Sequence, residues 1–280
     1  MTALPSSPLA IRGIEVPPFL YGTAWKEEAT EELVALALRS GFRGIDTANQ
    51  RKHYFEAAVG DAIRKSGIDR SALFIQTKFT FRAGQDSRLP YDPAKDIATQ
   101  VQQSFESSLA HLQTTTLDSY VLHGPSVRRG LAADDWSAWR AMEQLAQAGR
   151  TRLLGVSNVS LEQLALLHRN ATVKPAFVQN RCYASTGWDR DVRAFCREHA
   201  IVYQGFSLLT ANAREVDSKA LGTIAERLGR TRAQIVFRFA LQLGMLPLTG
   251  TTSEAHQRED LACTDFELSD DDVRVVERLG

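Results

Sequence analysis

Short runs of Val, Ile, Leu and Phe alternate with longer amphipathic segments along the whole sequence. This alternation is typical of parallel strands joined by crossover helices. One intervening segment, TEELVALALRSG, has helical spacing and ends at Gly41, as a helix with a glycine C-cap would. Eight runs are predicted to be strands: FLYGTA (19–24), FRGIDTA (42–48), ALFIQTKF (72–79), LDSYVLH (117–123), TRLLGVS (151–157), PAFVQN (175–180), IVYQGFS (201–207) and MLPLTG (245–250).

Eight strand-then-helix units without an interrupting linker predict an α/β fold closed into a (β/α)8 TIM barrel. A doubly wound sheet usually has a glycine-rich first turn, and no GxGxxG follows any of these strands. The segment LAIRGIEVPP (9–18) is predicted to form an N-terminal β-hairpin that closes the barrel floor. Residues 229–244 and 269–280 predict extra C-terminal helices outside the barrel. The 280 residues suit one such domain, spanning 1–280.

Composition excludes several partner classes. Lys plus Arg and Asp plus Glu number 33 each, so no net charge attracts nucleic acid or an anionic membrane. The segment from Met1 to Ile14 lacks an apolar core of signal-peptide length, and no stretch is long enough to span a bilayer, so we expect a cytoplasmic protein. Three cysteines without paired spacing predict neither a disulfide framework nor a metal site. We expect a monomer or a weak dimer.

Three consecutive predicted strands end in ionisable residues that packing alone would not select: Asp46, Lys78 and His123. Each has an ordinary alternative, namely a turn cap, a strand end or a core histidine. Active sites of α/β barrels form at the carboxyl ends of the strands, so the three side chains are predicted to meet at one mouth. A buried Lys78 would need a carboxylate such as Asp46 to compensate its charge. Together they favour a catalytic site.

A hydroxyl group would complete this set, and Tyr54 is the nearest candidate. A lysine beside a tyrosine favours the phenolate, so Lys78 is expected to lower the pKa of Tyr54 and make it a useful proton donor. The alternative is that Tyr54 only rests on the start of the following helix, YFEAAVGDAIRKSG.

These residues carry a resemblance to the aldo-keto reductase family. GFRGIDTA, then a Tyr and EAAVGDAI, resemble the family signature; FIQTK and LDSYVLHGP resemble its next two motifs. The similarity runs from GTAWK (22–26) to DFELSDDDV (265–273). It implies a TIM-barrel oxidoreductase that uses a nicotinamide dinucleotide. It also implies a catalytic tetrad of Asp46, Tyr54, Lys78 and His123.

The resemblance also implies a cofactor site. GVSN (155–158) and FVQN resemble the segments that bind the nicotinamide carboxamide, and VYQGFSLL resembles the segment with the aromatic ring that stacks on the nicotinamide. Trp25 is similar to the Trp that lines the substrate pocket, with an ordinary rim aromatic as its alternative. The implied cofactor contacts are Thr23, Ser157, Asn158, Gln179, Phe206, Ser207, Leu209, Thr249, Gly250, Thr251, His256, Arg258 and Glu259.

Three features depart from the family pattern. Tyr54 lies eight residues after Asp46, where the family has five, so the intervening loop is longer. Leu248 and Thr249 replace the Lys and Ser near the adenosine 2′-phosphate, with His256 near the family's Arg and Arg258 offset. The chain ends at Gly280, soon after the last predicted helix, so we expect an open pocket.

The sequence therefore predicts an NAD(P)H-dependent reductase of aldehydes or ketones, with NADPH preferred and NADH accepted. The preference is expected to be weakened because Leu248 carries no charge. Two other classes stay open. One is a cofactor-binding sensor barrel without turnover, and the other is a Schiff-base lyase or isomerase that uses Lys78.

Overall fold

The computed structural model describes residues 9–280. Residues 1–8, which belong to the segment predicted to lack a signal peptide, lie outside the described part. Strands β1 and β2 form a separate two-stranded sheet, and strands β3 to β10 form a closed barrel. The strands are β1 (Leu9–Ile11), β2 (Ile14–Val16), β3 (Leu20–Gly22), β4 (Gly44–Asp46), β5 (Phe74–Phe79), β6 (Leu117–Leu122), β7 (Thr151–Ser157), β8 (Phe177–Arg181), β9 (Val202–Phe206) and β10 (Met245–Thr249).

All eight neighbouring pairs in the barrel are parallel, and β10 pairs with β3 to close the ring. The prediction of a (β/α)8 barrel is confirmed. Each predicted strand is present, but several are shorter than their apolar runs. The run 42–48, for example, contributes only Gly44–Asp46, because the N–H of Phe42 donates to Ala37 O and belongs to the end of the preceding helix. In contrast, β8 extends one residue beyond its predicted end, to Arg181.

Helices surround the barrel, and several begin with side-chain caps. Ser160 and Thr231 each accept a hydrogen bond from the N–H three residues later, as N-caps do. Among residues 9–280, no helix is both long and apolar enough to cross a membrane. The helices are α1 (Thr30–Ser40), α2 (Glu56–Ser66), α3 (Ile97–Leu112), α4 (Ala133–Gln147), α5 (Leu161–Asn170), α6 (Arg190–Glu198), α7 (Ala213–Val216), α8 (Lys219–Leu228), α9 (Arg232–Gln242), α10 (Glu254–Leu261) and α11 (Asp270–Glu277).

Two glycines have structural roles in these helices. Gly41 ends α1 in the left-handed region, with φ 116°, as the sequence predicted. Gly60 lies where α2 contacts the end of α3, and a Cβ there would stand 1.9 Å from His111 O. Since no side chain fits at that distance, the packing of α2 against α3 requires glycine. Helices α9 and α11 account for the extra C-terminal helical segments.

The β1–β2 hairpin closes the amino-terminal end of the barrel. Ile11, Ile14 and Val16 are buried in one cluster with Phe74 and Phe177, the first residues of β5 and β8. Burying these side chains removes apolar surface from water at the floor of the barrel. The predicted hairpin and its position are confirmed, so the carboxyl ends of the strands form the open end.

Candidate active site

Asp46 and Lys78 form a buried ion pair at the carboxyl ends of β4 and β5. The Lys78 Nζ lies 2.8 and 2.7 Å from the two carboxylate oxygens and also donates to Thr47 O at 2.8 Å. Lys78 is fully buried and Asp46 nearly so. The carboxylate therefore compensates the lysine charge, as the sequence predicted.

A network of amide side chains surrounds Asp46 inside the barrel, and sequence reasoning did not single it out. Gln76 and Gln179 donate to Asp46 Oδ1 at 2.7 and 3.0 Å, and both also donate to Gln204 Oε1. The amide of Gln204 donates in turn to Gln76 Oε1 at 3.0 Å. This network supplies two hydrogen-bond donors to one carboxylate oxygen and holds the Asp46 side chain in place.

Tyr54 lies beside this pair in spite of the longer loop. The Lys78 Nζ stands 5.3 Å from the centre of the Tyr54 ring. The extra residues fold into a turn in which the N–H of Tyr54 donates to Gln50 O at 3.0 Å. The side-chain amide of Gln50 donates a hydrogen bond to Gly84 O at 2.7 Å, in the loop that follows β5. The extra residues are therefore taken up in a turn, and Tyr54 still reaches the open end of the barrel.

His123 follows β6 directly and completes the group. Its ring centre lies 5.9 Å from that of Tyr54, and its Nδ1 lies 2.7 Å from the hydroxyl of Thr80. Burial and the nearby Lys78 lower the pKa of His123 to about 3. The imidazole is therefore neutral at physiological pH, with Nδ1 engaged and Nε2 available.

The pKa of Tyr54 departs from expectation. Burial raises it well above its ordinary value, and the negative charge of Asp46 raises it further. The expectation that Lys78 lowers this pKa is wrong, because burial of the phenol and the charge of Asp46 outweigh the lysine. Burial also lowers the pKa of Lys78, while Asp46 opposes that shift. Tyr54 is consequently a neutral phenol with its proton in place.

One cavity of about 610 Å³ occupies the open end of the barrel. It contacts three of the four predicted catalytic residues, while Lys78 lies behind Asp46. Thr23 is buried outside the wall, where its hydroxyl donates to Asp46 O. The lining residues are Gly22, Ala24, Trp25, Asp46, His53, Tyr54, His123, Ser157, Asn158, Gln179, Arg181, Phe206, Ser207, Leu208, Leu209, Thr210, Phe237, Leu248, Thr249, Gly250 and Thr251.

Two amide oxygens in the cavity wall are free to accept hydrogen bonds. Asn158 donates to His123 O at 2.8 Å and to Ser157 Oγ at 3.1 Å, which fixes its amide nitrogen. Within the described residues, neither Asn158 Oδ1 nor Gln179 Oε1 receives a hydrogen bond. Both oxygens therefore suit the N–H groups of a carboxamide, the role that the sequence assigned to them.

A second part of the wall suits an anion. Ser207 has a left-handed backbone, with φ 56°, and the N–H groups of Leu208 and Leu209 find no acceptor between residues 9 and 280. Free, neighbouring N–H groups form anion-binding concavities. Lys26, which sequence reasoning missed, donates to the backbone oxygen of Gly250, a residue of the same cavity wall. Its position after the predicted pocket residue Trp25 was the available signal.

The segment after β10 places the predicted 2′-phosphate residues at the edge of the site. Thr249 donates to the buried Asp260 at 2.7 Å, and burial raises the pKa of that carboxyl to about 6. His256 and Arg258 lie exposed on α10, where Arg258 forms an ion pair with Glu254 at 2.7 Å. Neither these two residues nor Glu259 lines the cavity.

The mouth is bordered by an aromatic pair and a cation. Trp25 is 69% exposed, and its ring lies 3.9 Å from that of His53, which belongs to the longer loop. Arg181 stands opposite Phe206 in the β8–β9 register, with its guanidinium 5.5 Å from the Phe206 ring centre. Sequence reasoning missed both His53 and Arg181.

Known proteins are similar to this chain in sequence and in fold. The model of the aldo/keto reductase family matches residues 20–280. The chain is 31% identical to glyoxal reductase of Bacillus subtilis, covering 96% of this chain and 90% of that protein. It is 29% identical to morphine 6-dehydrogenase of Pseudomonas putida, with coverages of 95% and 88%. An aldo/keto reductase structure from Brucella melitensis covers all of both chains at 27% identity, with a TM-score of 0.83.

Proposed function

Because this chain belongs to the aldo/keto reductase family, an oxidoreductase family that acts on carbonyl compounds with nicotinamide cofactors, we propose that it reduces an aldehyde or ketone with NADPH and uses Tyr54 as the proton donor. The observation that carries this proposal is the buried Lys78–Asp46 pair beside Tyr54 and His123 at the open cavity. Four polar side chains from separate parts of the chain converge there. Packing alone does not require this arrangement.

Tyr54 is the general acid in the proposed mechanism. The phenol is protonated at neutral pH, so the proton is available when negative charge develops on the carbonyl oxygen. As Tyr54 gives up that proton, Lys78 stabilises the phenolate from 5.3 Å behind the ring. Asp46 opposes the lowering of the Lys78 pKa by burial and holds the lysine in place through its two short contacts.

His123 orients the substrate. Thr80 engages Nδ1 and the backbone carbonyl of His123 accepts from Asn158, which leaves Nε2 to face the cavity. We assign the Thr80 hydroxyl as the donor to Nδ1, so the neutral imidazole carries its proton on Nε2 and donates a hydrogen bond to the carbonyl oxygen. We propose that His123 and Tyr54 share that oxygen as their common partner.

The cavity fits a nicotinamide dinucleotide, which supplies the hydride when bound. Asn158 Oδ1 and Gln179 Oε1 would receive the carboxamide N–H groups, Phe206 would stack on the ring, and the free N–H groups of Leu208 and Leu209 would bind the pyrophosphate. We propose a weak preference for NADPH, because His256 and Arg258 occupy the early turns of α10 but Arg258 must leave Glu254 to reach a phosphate.

The decisive experiment compares the parent with Tyr54→Phe. Loss of dihydronicotinamide absorbance with a panel of aldehydes measures turnover, and quenching of protein fluorescence measures dinucleotide binding. We expect Tyr54→Phe to lose about 10²–10⁴-fold in kcat because the proton donor is removed, while dinucleotide affinity stays within about twofold. A fully active Tyr54→Phe variant would overturn the assignment.

The same experiment separates the other two classes. A sensor barrel would bind the dinucleotide without turnover on any aldehyde. A Schiff-base enzyme would act without dinucleotide and would be trapped on Lys78 by borohydride. The burial of Lys78 and its ion pair with Asp46 argue against a Schiff-base enzyme, while the turnover measurement decides between a reductase and a sensor barrel. We further propose that residues 1–280 act as one cytoplasmic domain, as a monomer or weak dimer.

A further inference from the structure

Arg181 is the one arginine or lysine side chain in the cavity wall within the described residues. It is the last residue of β8, two positions after Gln179, so both side chains point to the same face of the strand. Its neighbour in the register is Phe206, the predicted nicotinamide platform. The guanidinium therefore lies next to the expected site of hydride transfer.

No group in the described chain neutralises Arg181. Between residues 9 and 280, its guanidinium makes no ion pair and no hydrogen bond, and its contact is with the Phe206 ring at 5.5 Å. Asp46 is the single carboxylate among the lining residues, and its charge is already cancelled by Lys78. His123 is neutral because its pKa is about 3. Among the lining residues, Arg181 therefore carries the one uncompensated positive charge.

Such an arginine has a clear use in a binding site. A guanidinium presents several N–H donors in a planar fork that matches a carboxylate or a phosphate. The alternative is packing alone, with Arg181 stacked on Phe206, but an exposed cation–π contact is weak. Because the side chain is exposed, it reaches an incoming ligand without first breaking a bond within the protein.

We propose that Arg181 binds the anionic group of the substrate, so that the enzyme prefers carbonyl compounds that carry a carboxylate or a phosphate. This inference rests on the proposed reductase function. The pyrophosphate of a dinucleotide has the same chemistry, but a different part of the wall accounts for it: the free N–H groups of Leu208 and Leu209, with Lys26 near Gly250. Arg181 belongs instead to the β8 side, next to Gln179.

The test uses two aldehydes that differ in charge, 4-carboxybenzaldehyde and its neutral analogue methyl 4-formylbenzoate. For the parent, we expect kcat/KM for the acid to exceed that for the ester, and the ratio to fall as ionic strength rises. Arg181→Gln should lower the acid-to-ester ratio about tenfold, the loss of one charge-assisted hydrogen-bond pair, and Arg181→Lys should lower it less. An unchanged ratio in Arg181→Gln would overturn the proposal.

Two further measurements separate the sources of the anion. Dinucleotide affinity of Arg181→Gln, measured by fluorescence, should match that of the parent; a tenfold weaker affinity with an unchanged acid-to-ester ratio would assign Arg181 to the cofactor and refute the inference. Arg197→Gln is the matched control, because Arg197 is also exposed and unpaired in the described chain but lies on α6, outside the cavity wall. It should leave the ratio unchanged.

Calorimetry distinguishes failure of this inference from failure of the proposed function. Binding of 4-(hydroxymethyl)benzoate and of its methyl ester to the protein with oxidised dinucleotide needs no turnover. Tighter binding of the acid that disappears in Arg181→Gln would support the anion site even for a protein that reduces neither aldehyde. Equal binding of acid and ester, with both aldehydes reduced, would refute the anion site and leave the reductase function intact.

Discussion

The ion pair of Asp46 and Lys78 leads to a quantitative prediction about the free energy of unfolding. In Asp46→Asn, Lys78 loses the negative charge and one of its two side-chain acceptors, and the new amide nitrogen competes with donors from Gln76 and Gln179. The buried lysine must then lose its proton on folding. Deprotonating it at pH 7 from an ordinary value of 10.5 costs at most about 5 kcal/mol, so we expect a loss of about 3–5 kcal/mol.

Removing the lysine instead of the carboxylate is expected to lower the free energy of unfolding by less. In Lys78→Met, Asp46 still accepts hydrogen bonds from Gln76 and Gln179, so its carboxylate keeps two of its buried partners. The double variant has no uncompensated buried charge and should be more stable than Asp46→Asn alone. Urea unfolding followed by circular dichroism measures all four proteins. A Lys78→Met variant less stable than Asp46→Asn would refute this account of the amide network.

The pH dependence gives an independent check with a defined sign. In Asp46→Asn, the folded state holds Lys78 neutral while the unfolded state holds it protonated, so the unfolded state binds more protons. Stability must then rise with pH, by about 1.4 kcal/mol per unit between pH 7 and 9, until the pH approaches 10.5. The parent should show a smaller slope, because Asp46 raises the lysine pKa against burial. A variant with the parent's slope would contradict the reasoning.

Three further predictions concern separate parts of the molecule. His123→Ala should weaken discrimination among carbonyl substrates more than dinucleotide affinity, as measured by kcat/KM across an aldehyde panel; an unchanged profile with a lower Tm would indicate a structural histidine. Arg258→Ala should lower the kcat/KM ratio of NADPH over NADH, and a parent that favours NADH, or an unaltered ratio, would sink the assignment of this residue to the 2′-phosphate. Gly60→Ala should lower the free energy of unfolding by about 1–3 kcal/mol, because its Cβ would clash with His111 O; a variant as stable as the parent would show that α2 and α3 move apart freely.

Much of the fold follows from local patterns. Eight apolar runs with intervening helical segments suffice for the barrel, and the proline-flanked segment 9–18 indicates the hairpin. Strand ends were predicted less well, because some apolar residues of a run lie outside the hydrogen-bonded strand. Phe42, for example, precedes β4, and its N–H donates to Ala37 O at the end of α1. Neighbouring strand ends also predict the meeting of Asp46 and Lys78, since parallel strands bring their carboxyl ends to one edge.

The remaining site features depend on contacts that no local pattern encodes. Gln76 and Gln204 lie inside strands, where alternation does not reveal that three amides meet around one carboxylate. The pKa of Tyr54 depends on burial by distant parts of the chain, and so its direction was mispredicted. Arg181 is different, because a charged residue at a strand end was visible in the sequence. The predicted strand ended at Asn180, one residue before Arg181, so Arg181 was not considered as a strand-end residue.

The hairpin at the barrel floor has a consequence for the order in which ligands bind and leave. Since Ile11, Ile14 and Val16 close one end of the barrel, ligands share a single entrance and exit at the other. A nicotinamide stacked on Phe206 would lie deeper than a carbonyl compound next to Trp25 at the rim, so the dinucleotide would have to arrive first and depart last. Steady-state kinetics should then follow a compulsory sequence, in which the alcohol product leaves before the spent dinucleotide and excess carbonyl compound traps the enzyme in a dead-end ternary complex.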